Sequence, residues 1–163
     1  MSADASIPGA RELRDLEDLA VRVAREAADL ITTQRPADLG AQTKSSRTDV
    51  VTVMDQRAQD LLLARLSGAR PSDGIQGEEK GSVTGSSGLT WVVDPIDGTT
   101  NYLYGIAAYA VSVAVVVGDP STAGQWRPVA GAVVNAAPGE TYRAHLGRGA
   151  PLVTPARVAC SLS

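Results

Sequence analysis

Asp94 and Asp97 stand three residues apart in the string Trp91-Val92-Val93-Asp94-Pro95-Ile96-Asp97-Gly98-Thr99-Thr100-Asn101-Tyr102. Two carboxylates at that spacing on a tight turn can converge on one point. Such a pair suits a hard divalent cation such as Mg2+, which takes oxygen ligands. Gly98 lets the backbone approach a ligand closely. The amides of Gly98, Thr99 and Thr100 are placed to open a helix and cradle phosphate oxygens. An Asp-Gly pair by itself is an ordinary turn. The specificity lies in the whole string.

The elements that must hold these residues can be read outward from them. The apolar run Trp91 to Val93 has the composition of the end of a buried strand. Pro95 biases Asp94 toward an extended backbone and keeps the strand from simply continuing. Upstream, Leu13, Leu16, Leu19, Ala20, Val23, Ala27, Leu30 and Ile31 recur at spacings of three and four, which predicts a helix over 12–33, ended by Pro36. Residues 37–47 read as a polar loop and 49–52 as a short β-branched run. A second helix is predicted over 53–67, with Thr52 as its N-cap and Asp55 completing a capping box. Residues 81–88 are a flexible loop by composition. Downstream, 109–117, 128–135 and 140–144 read as strands, separated by Gly118-Asp119-Pro120 and Pro138-Gly139. The pattern predicts an α+β fold, two long helices packed on an antiparallel sheet.

The chain has 163 residues and a formal charge of −3. That length carries one domain with a real core. No basic patch suggests nucleic acid. The longest mostly apolar stretch, 107–117, is too short to span a bilayer. No signal peptide is visible, and the single cysteine, Cys160, fits a reducing cytoplasm. There is no Cys/His cluster for zinc. His145, the one histidine, reads as a surface or strand residue rather than a catalytic base.

The twelve-residue string closely resembles the metal-binding signature of the inositol monophosphatase family, Mg2+-dependent, lithium-sensitive phosphatases. Gly77-Glu78-Glu79 and Gly147-Arg148-Gly149-Ala150 resemble further family elements in the same order, so the resemblance covers roughly 12–150. It implies the N-terminal part of a layered αβαβα sugar-phosphatase fold. It implies Glu78, Asp94, the Ile96 carbonyl and Asp97 as Mg2+ ligands, with Asp97, Gly98, Thr99 and Thr100 holding phosphate. Asp55 would hydrogen-bond Thr99, and together they would orient and help deprotonate a metal-bound water. Lys44, within 43–49, matches the family's mobile loop near the metal. The implied catalytic set is therefore Asp55, Thr99, Glu78 and Lys44. The implied activity is hydrolysis of inositol 1-phosphate or a related sugar or alcohol phosphate, a small-molecule ester, in the cytoplasm.

Family members carry a second region with a Trp-Asp-x-Ala-Ala type motif, and this sequence contains no Trp-Asp pair. On this reading 1–11 is a disordered lead, 12–150 the N-terminal domain and 151–163 a short irregular tail, with the C-terminal domain absent. The alternative expectation is a catalytically inactive family fragment that binds metal or an anion, or acts as an assembly module. A sheet left partly uncovered would favour association into homo-oligomers.

Overall fold

The apolar stripe near the N-terminus forms one long helix, α1 (Ala10–Thr33), which buries Leu16, Ala20, Val23, Ala27 and Ile31 completely or nearly so. The computed structural model describes residues 6–37, 39, 44–77 and 82–155, with only the backbone of 44–47. Among these no helix is long and apolar enough to cross a membrane.

The second helix, α2 (Lys44–Ala69), starts well before the expected position. Thr52 is therefore not an N-cap. It lies inside the helix, and its hydroxyl donates to the Thr48 carbonyl at 3.0 Å. Asp55 is likewise mid-helix, which removes the capping-box reading. The cause is burial. Val51, Met54, Ala58, Leu62 and Leu66 are all buried at helical spacing. Packing along that face outweighs the modest helix penalty of the β-branched run.

Among the described residues six strands follow in one sheet whose spatial order is the chain order. They are β1 (Gly74–Gly77), β2 (Leu89–Asp97), β3 (Ala110–Gly118), β4 (Trp126–Asn135), β5 (Glu140–His145) and β6 (Leu152–Val153), with the short helix α3 (Thr99–Tyr104) between β2 and β3. From β2 onward every pairing is antiparallel, as expected. The exception is β1, which pairs with β2 in parallel, so the sheet is mixed. Neither β1 nor β6 was expected. Leu152 pairs with Tyr142 and Val153 with Thr141, so part of the tail extends the sheet.

Alternation along the strands decides which face is covered. Trp91, Val93, Val111, Val113, Val115, Ala132 and Val134 are buried, on the face that α1 and α2 cover. Each buried aliphatic side chain of this kind contributes about 1.5–3 kcal/mol. On the other face Val133, Tyr142 and Leu152 are cross-strand neighbours and stay exposed at 38%, 44% and 47%.

Two polar knots fasten this layer. Asp73, just before β1, is buried and accepts from Arg70 Nε at 2.8 Å, Ser87 Oγ at 2.7 Å and the Trp91 indole N–H at 2.9 Å. It ties the end of α2 to β2. Glu17, fully buried on α1, contacts the side chains of Arg143 and His145 from β5. His145 is thus a strand residue, as expected, but its side chain is turned onto α1 rather than left at the surface.

Candidate metal and phosphate site

Strand β2 does not stop at Asp94-Pro95. It bulges and resumes. Asp94 pairs with Ser112 and Asp97 with Ala110, so three steps on β2 face two on β3. The extra residue is a β-bulge around Pro95 and Ile96, both buried. Pro95 has no N–H to donate to a ladder, so it belongs at such a point. Bulges re-aim side chains. Here the change of phase lets two acids at odd spacing act from one turn.

The turn is pinned internally. The Ile96 N–H donates to Asp94 Oδ1 at 3.1 Å, which orients that carboxylate. The Thr99 hydroxyl donates to the Ile96 carbonyl at 3.0 Å. Asp97 ends the strand with an exposed side chain. Gly98 follows at φ +88°, in the left-handed region. A Cβ there would lie 3.0 Å from the Ala108 carbonyl oxygen. Gly98 is therefore required twice, by conformation and by space. Thr99 and Thr100 open α3, which brings three of the expected phosphate-side residues together behind Asp97.

The donor set fits a hard cation in kind. It offers the carboxylates of Asp94 and Asp97 and the Ile96 carbonyl, all oxygen. A carbonyl has two lone pairs, so the Thr99 bond leaves Ile96 able to serve a second partner. Among the described residues no three acids or histidines group as a metal cluster. The third expected acid, Glu78, lies outside the described residues, and so does the Lys44 side chain.

Asp55 sits on the buried face of α2, 9% exposed. Gln59, one turn further on the same face, is completely buried. A Cβ on Gly77 would come 2.5 Å from Gln59 Oε1. Gln59 therefore packs directly against the backbone of the residue that precedes Glu78. Gln59 belongs to none of the motifs visible in the sequence. The available signal was a polar residue between Ala58 and Leu62, four after Asp55.

An apolar hollow of about 380 Å³ lies on the open face of the sheet, lined in part by Ser112, Ala114, Gly131, Val133 and Tyr142. It is not the candidate site, because its lining carries neither acid of the turn.

A sequence profile of the inositol monophosphatase family matches residues 12–160. The inositol-1-monophosphatase SuhB of Mycobacterium tuberculosis is 41% identical over 152 residues, covering 84% of this chain and 50% of that protein. A histidinol-phosphatase of Streptomyces coelicolor is 38% identical over 138 residues, covering 83% and 50%. A solved structure of Mycobacterium tuberculosis SuhB superposes with a TM-score of 0.67 at 40% identity, covering 85% of this chain and 47% of that one. The chain spans about half the length of the curated relatives it matches.

Proposed function

The chain belongs to the inositol monophosphatase family, and from that premise we propose that it serves Mg2+-dependent hydrolysis of a phosphate monoester. The substrate class is a sugar or alcohol phosphate such as inositol 1-phosphate. The observation that carries this reading is the bulged turn, which holds the Asp94 carboxylate, the Ile96 carbonyl and the Asp97 carboxylate within the five residues before Thr99.

Asp94, Asp97 and the Ile96 carbonyl would hold Mg2+ together with Glu78. When bound, the cation would lower the pKa of water and neutralise phosphoryl oxygens. The protein's own residues do the rest. Thr99 and Asp55 orient the attacking water, whose proton passes through the Thr99 hydroxyl to Asp55, and Lys44 would supply positive charge. Amides near Gly98 to Thr100 donate to phosphate oxygens as negative charge builds. The twin anchors on Asp94 and on the Ile96 carbonyl limit reorganisation of the turn.

One observation favours a second reading, a family segment that binds the cation and assembles without turning substrate over. It is the exposed apolar row Val133, Tyr142 and Leu152 on the uncovered face. Phosphate release from inositol 1-phosphate, with Mg2+ titrated and histidinol phosphate run in parallel, separates the two. Mg2+-dependent release supports the phosphatase. Cation uptake with no release in either ester supports the second reading.

A further inference from the structure

Helix α3 is six residues long, too short to be stable by its own hydrogen bonds. Yet its first turn carries Thr99 and Thr100, directly behind Asp97. Something else must hold it. Its C-terminal end is gripped by Arg35, which follows α1 in the chain. Arg35 donates to the Tyr102 carbonyl from Nε at 3.1 Å and from Nη2 at 3.0 Å, and Nη2 reaches the Leu103 carbonyl at 3.5 Å. The last carbonyls of a helix lack intrahelical donors, and a cation there also suits the helix dipole. The guanidinium carbon lies 5.5 Å from the centre of the Tyr102 ring. That ring is fully buried, stands edge-on to Tyr109 at 5.0 Å, and its hydroxyl donates to the Ile31 carbonyl at 2.9 Å. Burial pushes the Tyr102 phenol up to about 12, so it remains a donor at any ordinary pH.

Tyr102 is thus held from the end of α1 by two routes, through its main chain by Arg35 and through its side chain by Ile31. Its own N–H closes the helix onto the Gly98 carbonyl at 3.0 Å. A rise of about 1.5 Å per residue puts Tyr102 roughly 4.5 Å along the axis from Thr99. Over one turn a shift at one end is passed almost undiminished to the other.

We infer that Arg35 is a positioning residue for the cation and phosphate site: by gripping the end of α3 it fixes the Asp97-Gly98-Thr99 turn. The inference rests on the function proposed above for that turn. A lysine could keep the charge but not the two-pronged grip on one carbonyl.

The test uses the 163-residue chain with Arg35→Ala and Arg35→Lys. Two quantities are read: affinity for Mn2+ alone, by electron paramagnetic resonance, and fast backbone motion at Gly98 to Thr100, by 15N relaxation. Thermal melting reports global stability. Both variants should lose about tenfold or more in Mn2+ affinity, the usual cost of removing an outer support of a metal site. Both should loosen Gly98 to Thr100 while β3 and β4 stay ordered. Wild-type affinity with an unchanged turn in either folded variant would overturn the inference. So would a loosened turn that binds Mn2+ as tightly as before. If Arg35→Ala does not fold, Arg35→Lys decides on the same two readouts. If the unaltered chain takes up no Mn2+, the function proposed above fails instead. Arg35 is then judged on the turn alone, loosening in Arg35→Lys supporting the grip and no change refuting it.

Discussion

The Thr99 hydroxyl donates to the Ile96 carbonyl across 3.0 Å, closing the turn that carries Asp97 and Gly98. A hydroxyl has one proton. While that proton points at Ile96, the lone pairs of Oγ1 face outward and can accept from water. Passing a proton on to Asp55 would require the hydroxyl to rotate. Thr99 therefore joins the geometry of the turn to its proposed proton chemistry.

Thr99→Ala should separate the two. Thr99 is exposed, so its bond contributes only about 0.5–1.5 kcal/mol to stability. Phosphate release, where Mg2+-dependent turnover is measurable, should fall by about 100-fold or more through kcat, with KM nearly unchanged. Steady-state kinetics checks this. An unchanged kcat would remove Thr99 from the proposed chemistry.

Gly98→Ala should destabilise the fold by about 1–2 kcal/mol, the cost of the left-handed backbone for a residue with a Cβ. The contact with the Ala108 carbonyl adds to that. Urea unfolding should show a lower midpoint at an unchanged slope. Gly149, with nothing near its Cβ direction and no positive φ, is the control. Gly149→Ala should leave the midpoint where it was.

Asp73→Ala should cost about 3 kcal/mol, because it leaves the buried Trp91 N–H without its acceptor and takes from Arg70 one of its two acid partners, Glu12 at 3.1 Å being the other. Asp73→Asn keeps an acceptor for one of them and should cost less. Chemical denaturation of both variants gives the order. Equal losses would mean that the acceptor geometry is irrelevant.

Glu17 supplies an acid-sensitive joint between α1 and β5. Burial pushes its carboxyl up, but hydrogen bonds from Arg143 and His145, with their charge, outweigh this and hold it below the ordinary 4.5. A carboxyl lowered in the folded state stabilises the protein above its unfolded value and loses that contribution as pH falls through the folded one. Melting temperature should thus fall below about pH 4.5, and Glu17→Gln should flatten that acid limb. A wild-type acid limb in the variant would exclude Glu17 as its source.

Much of this was legible in the residues. The spacing of Leu13 to Ile31 located α1, because burial on one face leaves a periodic trace, and the apolar run 109–117, closed by Gly118-Asp119-Pro120, located β3. Glu17 hid in the same trace. It falls four residues after Leu13 and three before Ala20, inside the apolar face, and only a partner from β5, about 126 positions away in sequence, explains it. The start of α2 is hard to see because Val50, Val51 and Thr52 form a β-branched run that hides the helix until the sheet beneath them is known. The parallel pairing of β1 depends on how the chain returns to β2, which no local pattern encodes. In the candidate site, Asp94, Asp97, Gly98 and Thr99 lie in one contiguous string, so their sharing of one turn is visible without any tertiary contact. The grip of Arg35 on Tyr102 could not, since it spans 67 positions and uses a backbone carbonyl.

The most direct test of the account is cation binding by the bulged turn. Titrating the 163-residue chain with Mn2+, beside Asp94→Asn and Asp97→Asn, reads it without any substrate. The account predicts saturable uptake by the unaltered chain, displaced by Mg2+, and a loss of about tenfold or more in each variant, with the melting temperature little changed. Uptake that survives both substitutions, or no uptake by the unaltered chain, would contradict it.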